Sequence, residues 1–335
     1  MQLLRKLLFP VSLLYGMVVF ARNRLYDWGV FKATSYSTTT ICIGNLSVGG
    51  TGKTPMTELL IRSLSPHYKV AVLSRGYKRK SSGFVMATHT TSVQELGDEP
   101  FQIFTKFPKI SVAVDADRRN GIQRLEREIK PDVILLDDAF QHRRVNPDFS
   151  ILLTTYDTLY VDDWYLPTGD LRDAKYAAER ADCIIVTKCP ETLSEAEQVA
   201  IRKKIAPKEH QTILFAYLSY GDEVIGIHSG LTLDAFKDKE VTLVTGIANP
   251  KPVVSYLKNN GILFEHLAYK DHHFFTKKEL EVLRSKECIL TTEKDFVRLK
   301  EDLANIYYLP VAHSFFGNGK AVLEQWLERL MNRPC

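Results

Sequence analysis

Ser47-Val48-Gly49-Gly50-Thr51-Gly52-Lys53-Thr54 has the residue types and spacing to grip the phosphates of a nucleoside triphosphate. The glycines free backbone N–H groups to point at phosphate oxygens, Lys53 can reach the outer phosphates, and the Thr54 hydroxyl can join a Mg²⁺ shell. The loop departs from the usual pattern at its start: Ser47 stands where a glycine is customary, and Val48 where the Lys-Gly-Gly variant carries its lysine. The Gly-Lys-Thr ending argues against a turn of purely structural purpose.

A second chemical signal is Val133 to Asp138, a hydrophobic run that ends in two carboxylates. Such a strand tip can hold Mg²⁺ directly or through water. Carboxylates there are as often turn formers, but the upstream phosphate loop favours the metal. Asp98 and Glu99 add adjacent carboxylates between Gly97 and Pro100. From residue types alone Asp98 reads first as a helix N-cap and second as an acid–base group. Thr187-Lys188-Cys189-Pro190 falls where GTPases carry Asn-Lys-x-Asp, and the missing final acid argues against a dedicated guanine reader.

The phosphate loop needs a strand before it and a helix after it, and the pattern supplies both. Thr38 to Gly44 reads as a buried strand, and Thr54 to Leu64 as a helix with Pro55 in its first turn, where the missing N–H costs nothing. Apolar runs at Lys69 to Ser74, Ile110 to Val114, Asp132 to Leu136, Phe149 to Thr154 and Cys183 to Thr187 alternate with helical stretches such as Asp117 to Ile129 and Ser194 to Ile205. This is the pattern of a doubly wound α/β sheet, whose ligands sit beyond the carboxyl ends of the strands. A second alternation starts near Glu240, with strands expected at Val241 to Thr245, Leu263 to Ala268 and Cys288 to Thr291, and helices at Pro252 to Asn260 and Lys277 to Ser285. The expectation is therefore an α/β protein of two α/β/α domains. Residues 1–35 form an apolar membrane-associating segment, 36–213 a P-loop NTPase-type domain with a mostly parallel sheet, 214–239 an extended linker carrying Gly221, Gly226 and Gly230, and 240–335 a smaller α/β domain with a C-terminal helix.

The chain has 335 residues, 45% of them hydrophobic and 25% charged, an ordinary globular composition that excludes wholesale disorder. A net charge of +4, spread along the chain apart from Lys78-Arg79-Lys80, gives no reason to expect a nucleic-acid partner. Cys42, Cys183, Cys189, Cys288 and Cys335 show no metal-ligand spacing and read as small residues of a reducing compartment. Leu7 to Ala21 is apolar but for Pro10, Ser12 and Gly16, and is bracketed by Arg5, Lys6, Arg22 and Arg24. It is short beside the ~20 residues of a bilayer span, and no small-residue cleavage pattern follows it. It reads as a helix in or against a membrane interface, with Tyr15, Tyr26 and Trp28 near headgroup depth; packing on its own domain is the alternative.

The Gly-Gly-Thr-Gly-Lys-Thr-Pro loop, Ser74-Arg75-Gly76-Tyr77, Gly97-Asp98-Glu99-Pro100, Asp137-Asp138-Ala139-Phe140-Gln141-His142, Gly169-Asp170-Leu171-Arg172, Asp271-His272-His273 and Thr292-Glu293-Lys294-Asp295 occur in the order found in tetraacyldisaccharide 4'-kinases. From the apolar N-terminus to Leu299 the chain resembles this lipid A 4'-kinase family. The resemblance implies transfer of the γ-phosphoryl group of ATP, with Mg²⁺, to the 4'-hydroxyl of a tetraacylated glucosamine disaccharide 1-phosphate. The product is lipid IVA, made at the cytoplasmic face of the bacterial inner membrane by a peripheral or monotopic enzyme. It implies Asp98 as acceptor of the sugar proton, His272 as its hydrogen-bonding partner, Lys53 as a third catalytic group, and Thr54, Glu99, Asp137 and Asp138 around Mg²⁺. Arg75 and Arg172 belong near substrate or phosphate oxygens, which guanidinium forks suit. Tyr77, Arg118, Gln141 and His142 fit cleft-lining positions. A histidine of the second domain meeting Asp98 requires the domains to approach, so the linker is expected to flex in turnover.

Two other functions share parts of the pattern. A membrane-recruited NTPase switch would carry the phosphate loop and Asp137, but it does not need Asp98 with His272 or the substrate-side motifs. An ATP-dependent ligase of the dethiobiotin-synthetase type shares the fold without needing the apolar N-terminus.

Overall fold

The computed structural model describes residues 5, 7–227, 229–271 and 273–332. Strand β1 (Thr39–Asn45) lies at the centre of a nine-stranded sheet, because its small and β-branched residues can be buried on both faces. Parallel to it on one side run β5 (Val133–Asp137), β2 (Val70–Ser74) and β4 (Ser111–Val114), closed by the short antiparallel β3 (Val85–Met86). On the other side run β6 (Phe149–Thr155), β7 (Cys183–Thr187) and β8 (Thr212–Tyr220), closed by the antiparallel β15 (Val311–Phe315). The chain leaves β1 toward β2 and later crosses back to β6, so a topological switch lies beside β1, where such sheets bind ligands.

Alternate residues of β1 serve two cores. Ile41 and Ile43 pack with Met56 and Leu60 of helix α2 (Lys53–Leu64), Ile103 of α3 (Asp98–Lys106), and Leu323 and Leu327 of the C-terminal helix α9 (Gly319–Met331). Cys42 faces the other way, with Ile122 and Leu125 of α4 (Arg118–Glu128) and Ile205 of α5 (Glu195–Ile205). Cys183, Cys189 and Cys288 are also buried free thiols; Cys335 lies outside the described residues.

A six-stranded sheet follows in the order β10-β9-β14-β13-β11-β12, formed by β9 (Glu223–Gly226), β10 (Gly230–Thr232), β11 (Val241–Thr245), β12 (Phe264–Ala268), β13 (Cys288–Thr292) and β14 (Ile306–Leu309). Helices α6 (Lys251–Asn259), α7 (Lys277–Arg284) and α8 (Glu293–Leu299) alternate with these strands. Residues 214–239 differ from the extended linker expected of them. The run Thr212–Tyr220 is β-branched and aromatic enough to become β8, and β9 and β10 join the small sheet. The return passage is equally short: only Pro310 separates β14 of the small sheet from β15 of the large one, and Gly221 N–H donates to the Pro310 carbonyl at 3.0 Å. Residues 311–331 thus complete the first sheet and its core rather than the second.

Helix α1 (Phe9–Asp27) lays a stripe of Ser12, Gly16, Val19 and Asn23 against the segment 163–180. Ser12 Oγ donates to Thr168 at 2.7 Å, Asn23 Nδ2 to Asp173 at 2.6 Å and Tyr15 O–H to the Arg172 carbonyl at 3.0 Å, so Tyr15 turns inward rather than toward headgroup depth. Leu13, Leu14, Met17, Val18, Phe20 and Trp28 stay exposed, Trp28 to 72%. Among the described residues no helix is long and apolar enough to cross a membrane.

Candidate active site

The loop after β1 turns through Gly49 (φ +109°) and Gly52 (φ +86°), conformations that favour glycine, and α2 starts at Lys53. Ser47 explains its own departure from the usual pattern: its hydroxyl donates to Asp163 at 2.9 Å, while Val48 N–H donates to the Asp170 carbonyl at 2.7 Å. Asn45 Nδ2 holds Thr51 Oγ1 at 3.0 Å. Ser47 to Thr51 line a cavity of about 220 Å³ together with Thr154, Asp157, Lys188 and Asn249, the last from the small-sheet half. Thr54 sits half-buried in the first turn of α2.

Behind this loop lie the two carboxylates of β5. Asp137 is buried, accepts from Thr57 Oγ1 at 3.3 Å and Ser74 Oγ at 3.1 Å, and is pushed up to about 6 by burial and by the charge of Asp138. Asp138 has a left-handed backbone (φ +47°) that swings its side chain to Lys53 Nζ at 3.7 Å and to the Arg172 fork. Burial opposes its ionisation, but Lys53 and Arg172 outweigh it and hold the carboxyl below the usual range. Arg172 also donates to Asn45 Oδ1, which ties it to the end of β1. The structure thus gathers Lys53, Asp137, Asp138 and Arg172 around one end of the central strand.

Several expected cleft residues point into the framework instead. Arg118 is 2% exposed and donates to the Asp115, Ala116 and Asp138 carbonyls. Gln141 Nε2 supports the Asn45 carbonyl at 2.7 Å. His142 lies 3.8 Å from Asp117 and is lowered to about 4 by burial and Arg118, so its ring is neutral. Arg75 is exposed, and its charge is felt by Arg118. Tyr77 lines a small cavity with Gly97, Asp98 and Phe274.

Asp98 and Glu99 open α3 beside the small-sheet half. The cap position is Gly97 and Asp98 is the first residue of the helix; its carboxylate is gripped by Arg298 of α8, with Nε at 2.9 Å. Glu99 pairs with Lys294 of α8 at 3.2 Å, and its charge contributes to raising Asp137. His272 lies outside the described residues. Beside it, Asp271 pairs with Lys294 at 3.3 Å, and the His273 ring meets Glu279 at 3.1 Å and stacks on Tyr269. Below these contacts Lys106 of α3 bridges Glu58 of α2 at 2.6 Å and Glu293 of α8 at 2.5 Å. Arg298, Lys106, Glu58 and His313 carry no sequence signal of a site, and Glu293 and Thr187 stand in noted segments without an expected role. Each meets a partner from another element, and only the Thr292-Glu293-Lys294-Asp295 motif pointed toward α8.

The profile of the tetraacyldisaccharide-1-P 4'-kinase (LpxK) family matches residues 4–332. The chain belongs to that family. It is 50% identical to the tetraacyldisaccharide 4'-kinase of Flavobacterium johnsoniae, covering 95% of both chains, and 42% identical to that of Bacteroides thetaiotaomicron, covering 92% of this chain and 88% of that one. A crystal structure of LpxK from Aquifex aeolicus in complex with ATP superposes with a TM-score of 0.80 at 29% identity, over 98% of this chain and 99% of that one. The LpxK fold thus accounts for the mostly parallel large sheet.

Proposed function

We propose that this LpxK chain transfers the γ-phosphoryl group of ATP to the 4'-hydroxyl of a tetraacylated glucosamine disaccharide 1-phosphate, giving lipid IVA. Family membership over nearly the whole chain carries this reading, and the Lys53, Asp137, Asp138 and Arg172 cluster at the phosphate loop supports it. Loop N–H groups and Lys53 hold the triphosphate, and Arg172 stands ready for phosphate oxygens. Asp98 accepts the sugar proton.

Mg²⁺ fits the donor set. Asp137 is a buried carboxyl whose raised proton affinity a divalent cation would relieve; the charges of Asp138 and Glu99 add to that rise, and Thr54 follows Lys53 in the first turn of α2. Mg²⁺ is commonly bound through one or two carboxylates together with phosphates and water, which these donors can supply. When bound, Mg²⁺ neutralises charge on the triphosphate.

The exposed face of α1 rests on the cytoplasmic side of the inner membrane, so the acylated sugar need not leave the bilayer. Extraction would cost about 0.8 kcal/mol for every methylene taken into water. The mild net charge gives nucleic acid no footing.

Incubation with γ-labelled ATP and the disaccharide acceptor tests the reaction. Label appearing in lipid supports the kinase, whereas label released only as phosphate would point to an NTPase switch. Asp98→Ala should abolish transfer while ATP binding survives; near-normal turnover would remove Asp98 as the base.

A further inference from the structure

Two consecutive carbonyls of the phosphate loop are held from behind by side chains that lie far away in sequence. Thr187 Oγ1, at the end of β7, donates to the Thr51 carbonyl at 2.8 Å and lies 3.2 Å from the Thr154 carbonyl. His313 Nε2, on β15, lies 2.8 Å from the Gly52 carbonyl. Because a carbonyl only accepts, Nε2 carries the proton; Nδ1 is the bare nitrogen, buried with no hydrogen-bond partner among the described residues. The Gly52 carbonyl also accepts Met56 N–H at 3.1 Å, so both its lone pairs are engaged.

A phosphate loop works by turning N–H dipoles outward, and a carbonyl turned the same way would set negative charge against the ligand. Glycine adopts either turn readily, so the glycines that permit the binding conformation do not by themselves select it. We propose that Thr187 and His313 are positioning residues that select this conformation by anchoring the Thr51 and Gly52 carbonyls away from the nucleotide. The His313 ring adds a steric stop, since a Cβ on Gly52 would lie 2.8 Å from Cε1 and Nε2. Burial, with help from Lys188, lowers His313 to about 4, so it acts as a neutral donor and not as a phosphate cation. His313 lies three residues past Pro310, on the strand returning from the small sheet, so the brace ties the nucleotide loop to that crossing.

The test uses the full chain with vesicle-presented acceptor, and compares His313→Phe, which fills the space without a donor, His313→Gln, which keeps one, and Thr187→Val, which keeps the shape. ATP affinity is measured by calorimetry, and KM is measured separately for ATP and acceptor. Loss of one anchoring bond should weaken ATP by about tenfold in His313→Phe and Thr187→Val, with acceptor KM within about twofold and most of the loss recovered by His313→Gln. Unchanged ATP affinity in both donor-free variants, equal losses for both substrates, or no recovery with glutamine would overturn the proposal. Should His313→Phe not fold, Thr187→Val and His313→Gln decide it. The inference rests on the phosphate-loop reading, so Lys53→Ala is run alongside. If Lys53→Ala binds ATP normally, the loop reading fails; if only Lys53→Ala loses ATP, the carbonyl brace alone fails.

Discussion

Arg298 of α8 grips both carboxylate oxygens of Asp98 across the junction of the two sheets, with the arginine side chain 5% exposed and the aspartate 11%. The fork is itself anchored: another of its nitrogens donates to the His273 carbonyl at 3.1 Å and lies 3.8 Å from Asp295, whose carboxylate accepts from Gly246 N–H and Thr292 Oγ1. The carboxylate assigned to proton transfer is therefore oriented from the opposite half of the molecule.

Removing only the cation leaves a buried charge behind. Arg298→Met should cost about 3–5 kcal/mol of stability, the usual penalty for breaking one side of a buried ion pair. Adding Asp98→Asn to it should recover much of that loss, because the stranded charge is gone, yet leave transfer abolished. Denaturant midpoints of the two single variants and the double variant measure the coupling. A cost below about 1 kcal/mol for Arg298→Met would mean that the pair behaves as an exposed one.

The two faces of α1 should separate in experiment. Leu14→Glu and Val18→Glu alter exposed positions and should lower vesicle binding with little change in thermal midpoint. Equal partition of these variants and the natural chain would remove the membrane role of this face.

Gly16 answers to a different constraint. A Cβ there would come within 2.8 Å of the Tyr165 ring, so Gly16→Leu should strain the docked helix by about 1–3 kcal/mol. Tyr15 and Asn23 on the same face bond Arg172 and Asp173, so turnover should fall even on short-chain acceptors. Unaltered turnover would show that the docking face carries no influence on the Arg172 segment.

What the sequence disclosed follows from how local each signal is. The phosphate loop, the strand ending in Asp137 and Asp138, and helix starts such as Ser194 before α5 are set by neighbours in the chain, and they stand where the pattern put them. Residues 214–220 read as linker because three nearby glycines outweigh a run that becomes strand only when β7 and β15 pair with it. The C-terminal helix is expected with the smaller domain that precedes it, but an amphipathic pattern does not say which core it covers; Leu323 and Leu327 join the core of α2. His313, Thr187 and Arg298 are out of reach for the same reason: Gly52, Thr51 and Asp98, the groups they hold, lie more than 130 positions away. Arg118 shows the converse: the family resemblance places it in the cleft, whereas its fork donates to backbone carbonyls in the interior.

The bridge beneath the site gives a stability that depends on pH. Glu293 is pushed up to about 7, first by burial and then by the charge of Glu58, against the pull of Lys106. A carboxyl that holds its proton more tightly folded than unfolded contributes no penalty well below its unfolded pKa, where both states are protonated. As pH rises from about 4.3 the unfolded state ionises first, and stability is lost until the folded carboxyl ionises too. Glu293→Gln removes this titration, so its stability relative to the natural chain should improve between pH 5 and pH 8 by on the order of 1–3 kcal/mol. Urea midpoints of both proteins at the two pH values measure the difference. Curves that stay parallel across that range would mean that Lys106 keeps Glu293 ionised throughout, and that the bridge among α2, α3 and α8 is a plain ion pair.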